Sequence, residues 1–442
     1  MTEQRPADTS RRSFLGAGGA AAAAAFAAPI VLTSCRATPS TAGARLGPAL
    51  SGGRELTVGV IGCGGRGGGA AFDALKAGPN VRIVALGDVF EDRVRGVAAG
   101  LAKAQPDRGT VPESRQFHGF DAYRKVLATD CDIVVLATAP GFRPAHYAAA
   151  IDAGKHVFFE KPVAVDPSGV RTVLEASARA AERKLCVVTG TQRRHERCYL
   201  EAMAKVQDGA IGRPISARCY WNQGGLWVKQ REAGMSDMEW QVRNWLYFTW
   251  LSGDHIVEQH VHNIDVVNWA MGGPPVRATG MGGREVRKGA EHGHIYDHFA
   301  VEYEYKNGAS AMSFCRQIDG CASRVDEVVV GTKGVLHSSS GSARIVLRDG
   351  TNWVHEGENP NPYVEEHKHL VAAIESGKPV NEARRIAEST LTAIMGRMSA
   401  YTGQQVSWKQ AMESKLDLAP SRYEFGPLPP VEVAVPGRTP LV

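Results

Sequence analysis

The sequence predicts an α/β protein of two domains: a doubly wound parallel sheet, then a second domain in which strands predominate. Three observations carry this. Strands alternate with helices from Leu56 onward at the spacing of parallel crossover units. A glycine-rich run joins the first strand to the first helix. From Pro214 onward five segments read as strands, with one hairpin turn at Tyr305-Lys306-Asn307-Gly308-Ala309.

A chain of 442 residues is too long for one ordinary core. Its 43% hydrophobic and 22% charged content suit a globular protein. The net charge of +5 is small for this length and does not argue for nucleic acid as a partner.

The first 35 residues read as a targeting segment. Ser10-Arg11-Arg12-Ser13-Phe14-Leu15 is similar to a twin-arginine export signal, which makes the export machinery a partner. An Ala-rich apolar stretch follows and closes on Leu32-Thr33-Ser34-Cys35, which resembles a lipoprotein processing site. Cys35 is then the lipid-carrying residue, and that lipid the only membrane contact expected. The expected location is the periplasm or cell envelope. Residues 36–53, rich in Ser, Gly, Ala and Pro, read as a flexible tether. Of the eight cysteines, the seven beyond Cys35 show no paired spacing, and no essential disulfide is expected.

Residues 54–190 form the first domain. Leu56–Ile61 is a buried-strand pattern running into Gly62-Cys63-Gly64-Gly65-Arg66-Gly67, with a helix expected over Gly69–Ala77. This is G-x-G-x-x-G in strand–turn–helix context. The first glycine permits the turn, the second lets backbone approach a pyrophosphate, and the third lets helix pack on strand. A second strand, Val81–Leu86, leads to Asp88, about twenty residues past Gly67, where a carboxylate binds the adenosine ribose hydroxyls. Its charge favours NAD over NADP. Ile133–Ala137 reads as the third strand and ends in Thr138; a helix over Ala145–Ala153 leads to the strand His156–Phe159, and Leu185–Thr189 closes the sheet. The His156–Phe159 strand delivers Glu160-Lys161-Pro162 to the carboxyl edge of the sheet, where such sheets bind ligands.

Residues 191–407 form the second domain, with strands at Pro214–Asn222, Val276–Met281, Phe299–Tyr305, Ala309–Arg316 and Glu327–Val330 and helices near Tyr363–Ser376 and Ala383–Tyr401. Residues 408–442 form a proline-rich tail expected to wrap the surface. Asp254–Asp265 reads as one helix, which puts Glu258 and His262 on a shared face. His260 and His262 then point about 200° apart and cannot share a metal ion; with His255 also considered, no metal site is expected.

The glycine fingerprint, Ala153-Gly154-Lys155-His156, Glu160-Lys161-Pro162 and the Asp254–Asp265 segment together resemble the glucose-fructose oxidoreductase and inositol dehydrogenase family (Gfo/Idh/MocA). The resemblance spans roughly Arg54 to Val406. It implies a Rossmann domain followed by an α/β domain with an open, mostly antiparallel sheet, one face of which often forms an oligomer interface, so a homo-oligomer is expected. It implies an NAD(P)-dependent oxidoreductase acting on a hydroxyl-bearing carbon. Gly62, Gly64, Gly65, Arg66, Gly67, Asp88, Thr138, Glu160, Lys161 and Pro162 would hold the cofactor. His262 matches the family histidine that acts on the substrate hydroxyl. Glu258 stands where the family carries aspartate, and its expected role is to orient His262. Lys161 would stabilise the developing alkoxide or relay the proton, with Glu160 holding Lys161.

Aromatic and polar residues suggest a sugar or polyol substrate: Trp221, Asn222, Gln223, Trp227, Trp240, Arg243, Asn244, Trp245, Tyr296, Asp297 and His298, with Arg193, Arg194 and His195 within reach. An exported enzyme lacks a pool of free nucleotide, so a tightly bound cofactor and redox-neutral turnover are expected. Glycoside cleavage by transient oxidation and elimination is the alternative reading. A sugar-binding protein without chemistry is a further one, and it would have no need of Lys161 or His262.

Overall fold

The structure, a computed structural model, describes residues 53–430 and 432–442. The expected leader, the tether and the Cys35 lipid site lie outside the described residues. Six strands form the first sheet: β1 (Leu56–Ile61), β2 (Val81–Asp88), β3 (Gln116–His118), β4 (Ile133–Leu136), β5 (His156–Phe159) and β6 (Val187–Thr189). All pair in parallel, in the order β3-β2-β1-β4-β5-β6. Helices cover both faces, so β4 is buried at every residue and reads as a continuous apolar run. Two readings change. Strand β3 has only three half-buried or exposed residues and no apolar signature, so Ile133–Leu136 is the fourth strand and not the third. The first helix starts at Gly65 rather than Gly69, because the glycine run itself takes up helical backbone.

The second sheet has nine strands: β7 (Pro214–Gln223), β8 (Arg277–Gly283), β9 (His298–Glu304), β10 (Ser310–Gln317), β11 (Arg324–Gly331), β12 (Gly334–Ser339), β13 (Ser342–Leu347), β14 (Asn352–Val354) and β15 (Val406–Ser407). Their order is β14-β13-β12-β11-β7-β10-β9-β8-β15. Only β7 and β10 pair in parallel; the other pairings are antiparallel. The β9–β10 hairpin closes through Tyr305 N–H to the Ala309 carbonyl at 2.9 Å, with Gly308 at φ +79° supplying the left-handed turn residue. Strands β12 to β14 escape the sequence reading because they are short and their buried faces hold few apolar residues.

The helix Pro362–Glu375 lies in the second half of the chain yet packs on the helix Gly65–Ala77. Its Leu370, Val371 and Ala373 join the core built from Leu56, Val58, Val60 and Phe158. The first domain is therefore completed by a segment from within 191–407. The expected single helix Asp254–Asp265 is broken into His255–Glu258 and Val261–Met271. His260 N–H bonds back to the His255 carbonyl at 3.1 Å, one residue further than an α-helix allows. Before the break, Asp254 holds φ +73°, and its side chain accepts from His255 N–H at 2.6 Å, Tyr296 N–H at 2.8 Å and Tyr401 O–H at 2.6 Å. Three bonds to one buried carboxylate over-determine this strained position. Seven cysteines are free among the described residues, all buried except Cys321.

Candidate active site

A cleft of about 640 Å³ opens at the carboxyl edge of the first sheet. The glycine turn forms its floor. Gly62 has φ +97°, and a Cβ there would stand 2.5 Å from the Ala137 carbonyl carbon. A Cβ on Gly67 would lie 1.7 Å from the Gly62 oxygen. Gly67 thus serves packing beneath the cleft, while Gly62, Gly64 and Gly65 line it. Gly64 and Gly65 have open space where a side chain would be. Gly64 caps the helix without any side-chain bond, so the first amides are left for an anion. These features fit a dinucleotide pyrophosphate. Asp88 lines the same cleft and accepts from Cys63 N–H at 2.7 Å and Phe90 N–H at 2.9 Å. Burial raises its pKa above the ordinary carboxylate value. Thr138 also lines the cleft.

Lys161, Glu258 and His262 meet at this cleft although they come from opposite halves of the chain. Lys161 Nζ donates to the Glu258 carboxylate at 3.0 Å and to the Glu258 carbonyl at 2.5 Å. Both side chains are 12% exposed. Glu258 therefore holds Lys161, not His262 as expected, because the break after Glu258 separates it from the helix that carries His262. Glu160 does not hold Lys161 either: it pairs with Arg66. Arg66 also meets Asp73 at 3.4 Å and Glu366 at 3.7 Å and lies 4.8 Å over the Tyr363 ring. Glu366 is fully buried with neither oxygen hydrogen-bonded. Burial, with Glu160 beside it, pushes its pKa well up, against the opposing charge of Arg66.

Burial pushes the His262 pKa well below its ordinary value, and Lys161, Arg193 and Arg66 push it further. The imidazole is neutral near pH 7, the state a general base needs. Its ring stacks on Trp221 at 5.7 Å. His260 turns away, with Nε2 at 2.7 Å from Ser313 Oγ, and His255 packs on Phe299. Those three histidines do not converge. Elsewhere His195, His369 and Glu382 bring ligand-type atoms within 4.8 Å of one another. Arg385 already stands 3.1 Å from that carboxylate and balances its charge.

The expected substrate residues divide. Arg243, Trp227 and Trp245 line the cleft. Arg243 sits 3.8 Å over the Phe90 ring and pairs with Asp92 at 3.3 Å. Trp221 reaches the site through His262. The others do not reach it. Arg193 is buried against Glu327 at 2.5 Å. Asn222 lies on β7 away from the cleft lining. Tyr296 bonds the Ala434 carbonyl at 2.8 Å. Asp297 folds a loop by accepting from Glu285 and Val286 N–H, each at 2.7 Å. Asn244 fixes Lys229 and Glu291 backbone, and Arg194 pairs with Asp265. These buried polar groups look functional in sequence but satisfy one another. Pro162 follows a cis peptide, and its carbonyl accepts from Arg143 at 2.6 Å. Arg143, Gln192, Lys229 and Tyr363 line the cleft without having been anticipated; none belongs to a motif with fixed spacing.

Residues 56–190 match the family model described as oxidoreductase family, NAD-binding Rossmann fold, and residues 199–337 match the GFO/IDH/MocA C-terminal domain. The chain belongs to the GFO/IDH/MocA family. The first domain is accordingly an NAD-binding Rossmann fold of an oxidoreductase family. Among curated relatives, inositol 2-dehydrogenase 3 of Saccharopolyspora erythraea is 28% identical over 254 residues, 58% of this chain and 64% of the relative. The inositol 2-dehydrogenase/D-chiro-inositol 3-dehydrogenase of Shouchella clausii is 29% identical over 193 residues, 43% of this chain and 45% of the relative. The matched stretches thus span less than two thirds of these relatives' own length. Similar folds also appear among solved structures. Aldose-aldose oxidoreductase from Caulobacter crescentus, complexed with glycerol, superposes with a TM-score of 0.64 at 20% identity, covering 80% of this chain and 100% of that one. Levoglucosan dehydrogenase, in complex with NADH and levoglucosan, gives a TM-score of 0.65 at 16% identity, covering 80% and 99%.

Proposed function

We propose that this chain is an NAD-dependent oxidoreductase that acts on a hydroxyl-bearing carbon of a polyol, sugar or glycoside. The carrying observation is the convergence of Lys161, Glu258 and His262 on the cleft floored by the glycine turn. Bound NAD supplies the hydride acceptor. Neutral His262 takes the hydroxyl proton. Lys161, held by two bonds to Glu258, donates to the oxygen on which charge develops. Trp227 and Trp245, in T-shaped contact at 6.1 Å, offer aromatic faces to a sugar ring. The inositol dehydrogenases among the relatives support a polyol as the substrate class.

The twin-arginine motif at Arg11-Arg12 supports export and a cofactor that stays bound through turnover. A resident cofactor must be restored in place, which favours sugar-pair exchange or glycoside cleavage by transient oxidation over net dehydrogenation. Met281, 71% exposed, and Met312, 43% exposed, on the second sheet support a homo-oligomer through that face.

The test begins with mass spectrometry of small molecules released on denaturing protein purified without nucleotide. Near one NAD or NADH per chain is expected. Polyols, sugar pairs and aryl glycosides are then screened without added NAD. Activity only with added NAD would sink the resident-cofactor part of the reading. No turnover of any of these classes, with or without NAD, would sink the whole.

A further inference from the structure

The residues after Glu413 cross an apolar cluster beside the cofactor cleft, one that shares Phe142 and Val242 with the cleft lining, rather than simply covering surface. Leu418 N–H bonds Asp166 at 2.8 Å, beside the first sheet. Further on, the Gly426 carbonyl accepts from Met238 N–H at 3.1 Å, and Leu428 N–H bonds Asp237 at 3.1 Å, both on the helix Asp237–Arg243. The stretch 418–428 is thus pinned at both ends and spans from one domain to the other.

Between the pins it presents two aromatic rings. Phe425 stacks on Phe90 at 5.9 Å and meets Phe120 edge-on at 5.1 Å. Tyr423 lies 5.4 Å from Phe142 and 6.3 Å from Phe120. Phe90 is two residues beyond Asp88, the carboxylate placed for the adenosine ribose. Phe120 and Phe142 line a small cavity of about 20 Å³ next to Asp88, together with Gly119 and Thr138. The rings from the tail therefore back Phe90, Phe120 and Phe142 beside Asp88, without lining the cleft themselves. Leu418 and Leu428 pack on the same apolar cluster, which contains Phe90, Phe142, Met238 and Val242 and is separate from the two main cores. Tyr423 is 39% and Phe425 49% exposed, so both rings are partly covered by the cluster and partly open to solvent.

We propose that the 418–428 strap supports the cofactor site, with Tyr423 and Phe425 holding Phe90 and Phe142 in place at its adenine end and so slowing release of the nucleotide. The proposal rests on the reading of the cleft as an NAD site. Adenine offers a flat π-face, and Phe142, which lines the cleft, is a ring that the strap keeps in position to cover it and exclude water. The nicotinamide end, at Lys161 and His262, does not touch the strap.

The test uses full-length protein stripped of nucleotide on charcoal. ADP-ribose and nicotinamide mononucleotide are titrated separately into wild type and into the Tyr423→Ala/Phe425→Ala double variant. ADP-ribose affinity is expected to fall about 10- to 100-fold while mononucleotide affinity stays unchanged. The conservative Tyr423→Phe/Phe425→Tyr double variant should keep wild-type ADP-ribose affinity. Unstripped wild type should retain more nucleotide after extended dialysis than the alanine variant. Equal ADP-ribose affinity in wild type and the alanine variant overturns the proposal. So does a parallel loss for both ligands, which marks a general structural fault. If wild type binds neither ADP-ribose nor NAD, the reading of the cleft itself fails, and the strap proposal fails with it.

Discussion

Lys161 donates to both the carbonyl and the carboxylate of Glu258, a residue from the other half of the chain. The bond to the carbonyl ties the lysine to backbone at the helix break. The bond to the carboxylate balances its charge in a cleft where each side chain is 12% exposed. An amine held this way has its position set before substrate arrives, so less reorganisation is needed during reaction.

Removing the pair should separate its two members. Lys161→Met is expected to lower kcat by at least about 100-fold, the scale of a lost proton-handling group, with NAD affinity changed little. Glu258→Gln keeps the carbonyl bond and a hydrogen-bonding side chain, so its loss in kcat should be smaller, roughly 10-fold. Steady-state kinetics with nucleotide titration checks both. A Glu258→Gln loss equal to that of Lys161→Met would mean that Glu258 does more than position the lysine.

His262 should not titrate near the usual histidine value. Its pKa is held well below 6.5 by burial and by the charges of Lys161, Arg193 and Arg66. The pH profile of kcat/KM should therefore lack an acid limb near 6.5 attributable to this ring. An inflection there that vanishes in His262→Gln would contradict the assignment of a neutral, buried base.

Stability should decline in mild acid. Burial holds His146, His260 and His294 at about 3 in the folded chain, against an ordinary 6.5. The unfolded chain binds more protons between those values, so the stability these groups confer is full above 6.5 and is lost as pH falls through that window. Each contributes a slope of about 1.4 kcal/mol per pH unit there. Urea unfolding at several pH values should show a shallower acid slope in His294→Asn than in wild type. An unchanged slope would mean that this ring is already charged in the fold.

Two glycines of the same turn should behave oppositely. Gly67→Ala places a Cβ 1.7 Å from the Gly62 oxygen, so it should lower the melting temperature and abolish nucleotide binding together. Gly64 has φ −75° and open space around its Cβ position. Gly64→Ala should fold normally yet weaken NAD by about 10-fold or more, because a methyl group keeps the pyrophosphate off the backbone. Thermal melts with and without NAD separate the two cases. Unimpaired NAD binding by Gly64→Ala would place the pyrophosphate elsewhere.

The legible parts of the molecule were those written in contiguous residues. The Gly62–Gly67 turn, the strand that delivers Glu160-Lys161-Pro162, and Asp88 at the end of β2 each follow from local periodicity and turn chemistry, because the residues that make the motif are neighbours in the chain. The family resemblance rested on the same short runs. What the reading missed was non-local or short. Strand β3 has three residues and no apolar alternation. Strands β12 to β14 carry few buried apolar side chains. The break between Glu258 and Val261 cannot be seen in a sequence whose spacing suits one helix.

By itself the sequence determined the α/β class and the glycine turn of the NAD-binding domain, and it pointed to Lys161 and His262, which line one cleft, since each signal lies within a few residues. Only the tertiary structure decided which charges pair. Glu160 turns to Arg66 and Glu258 takes Lys161; Arg193 and Asp297 are drawn into buried networks away from the cleft. A buried charge pairs with whatever partner the packing brings within reach, and that partner here lies scores of residues away. The same physics places Tyr423 and Phe425 beside Phe90 and Phe120: apolar rings bury against the nearest apolar surface, and chain folding alone determines which surface that is.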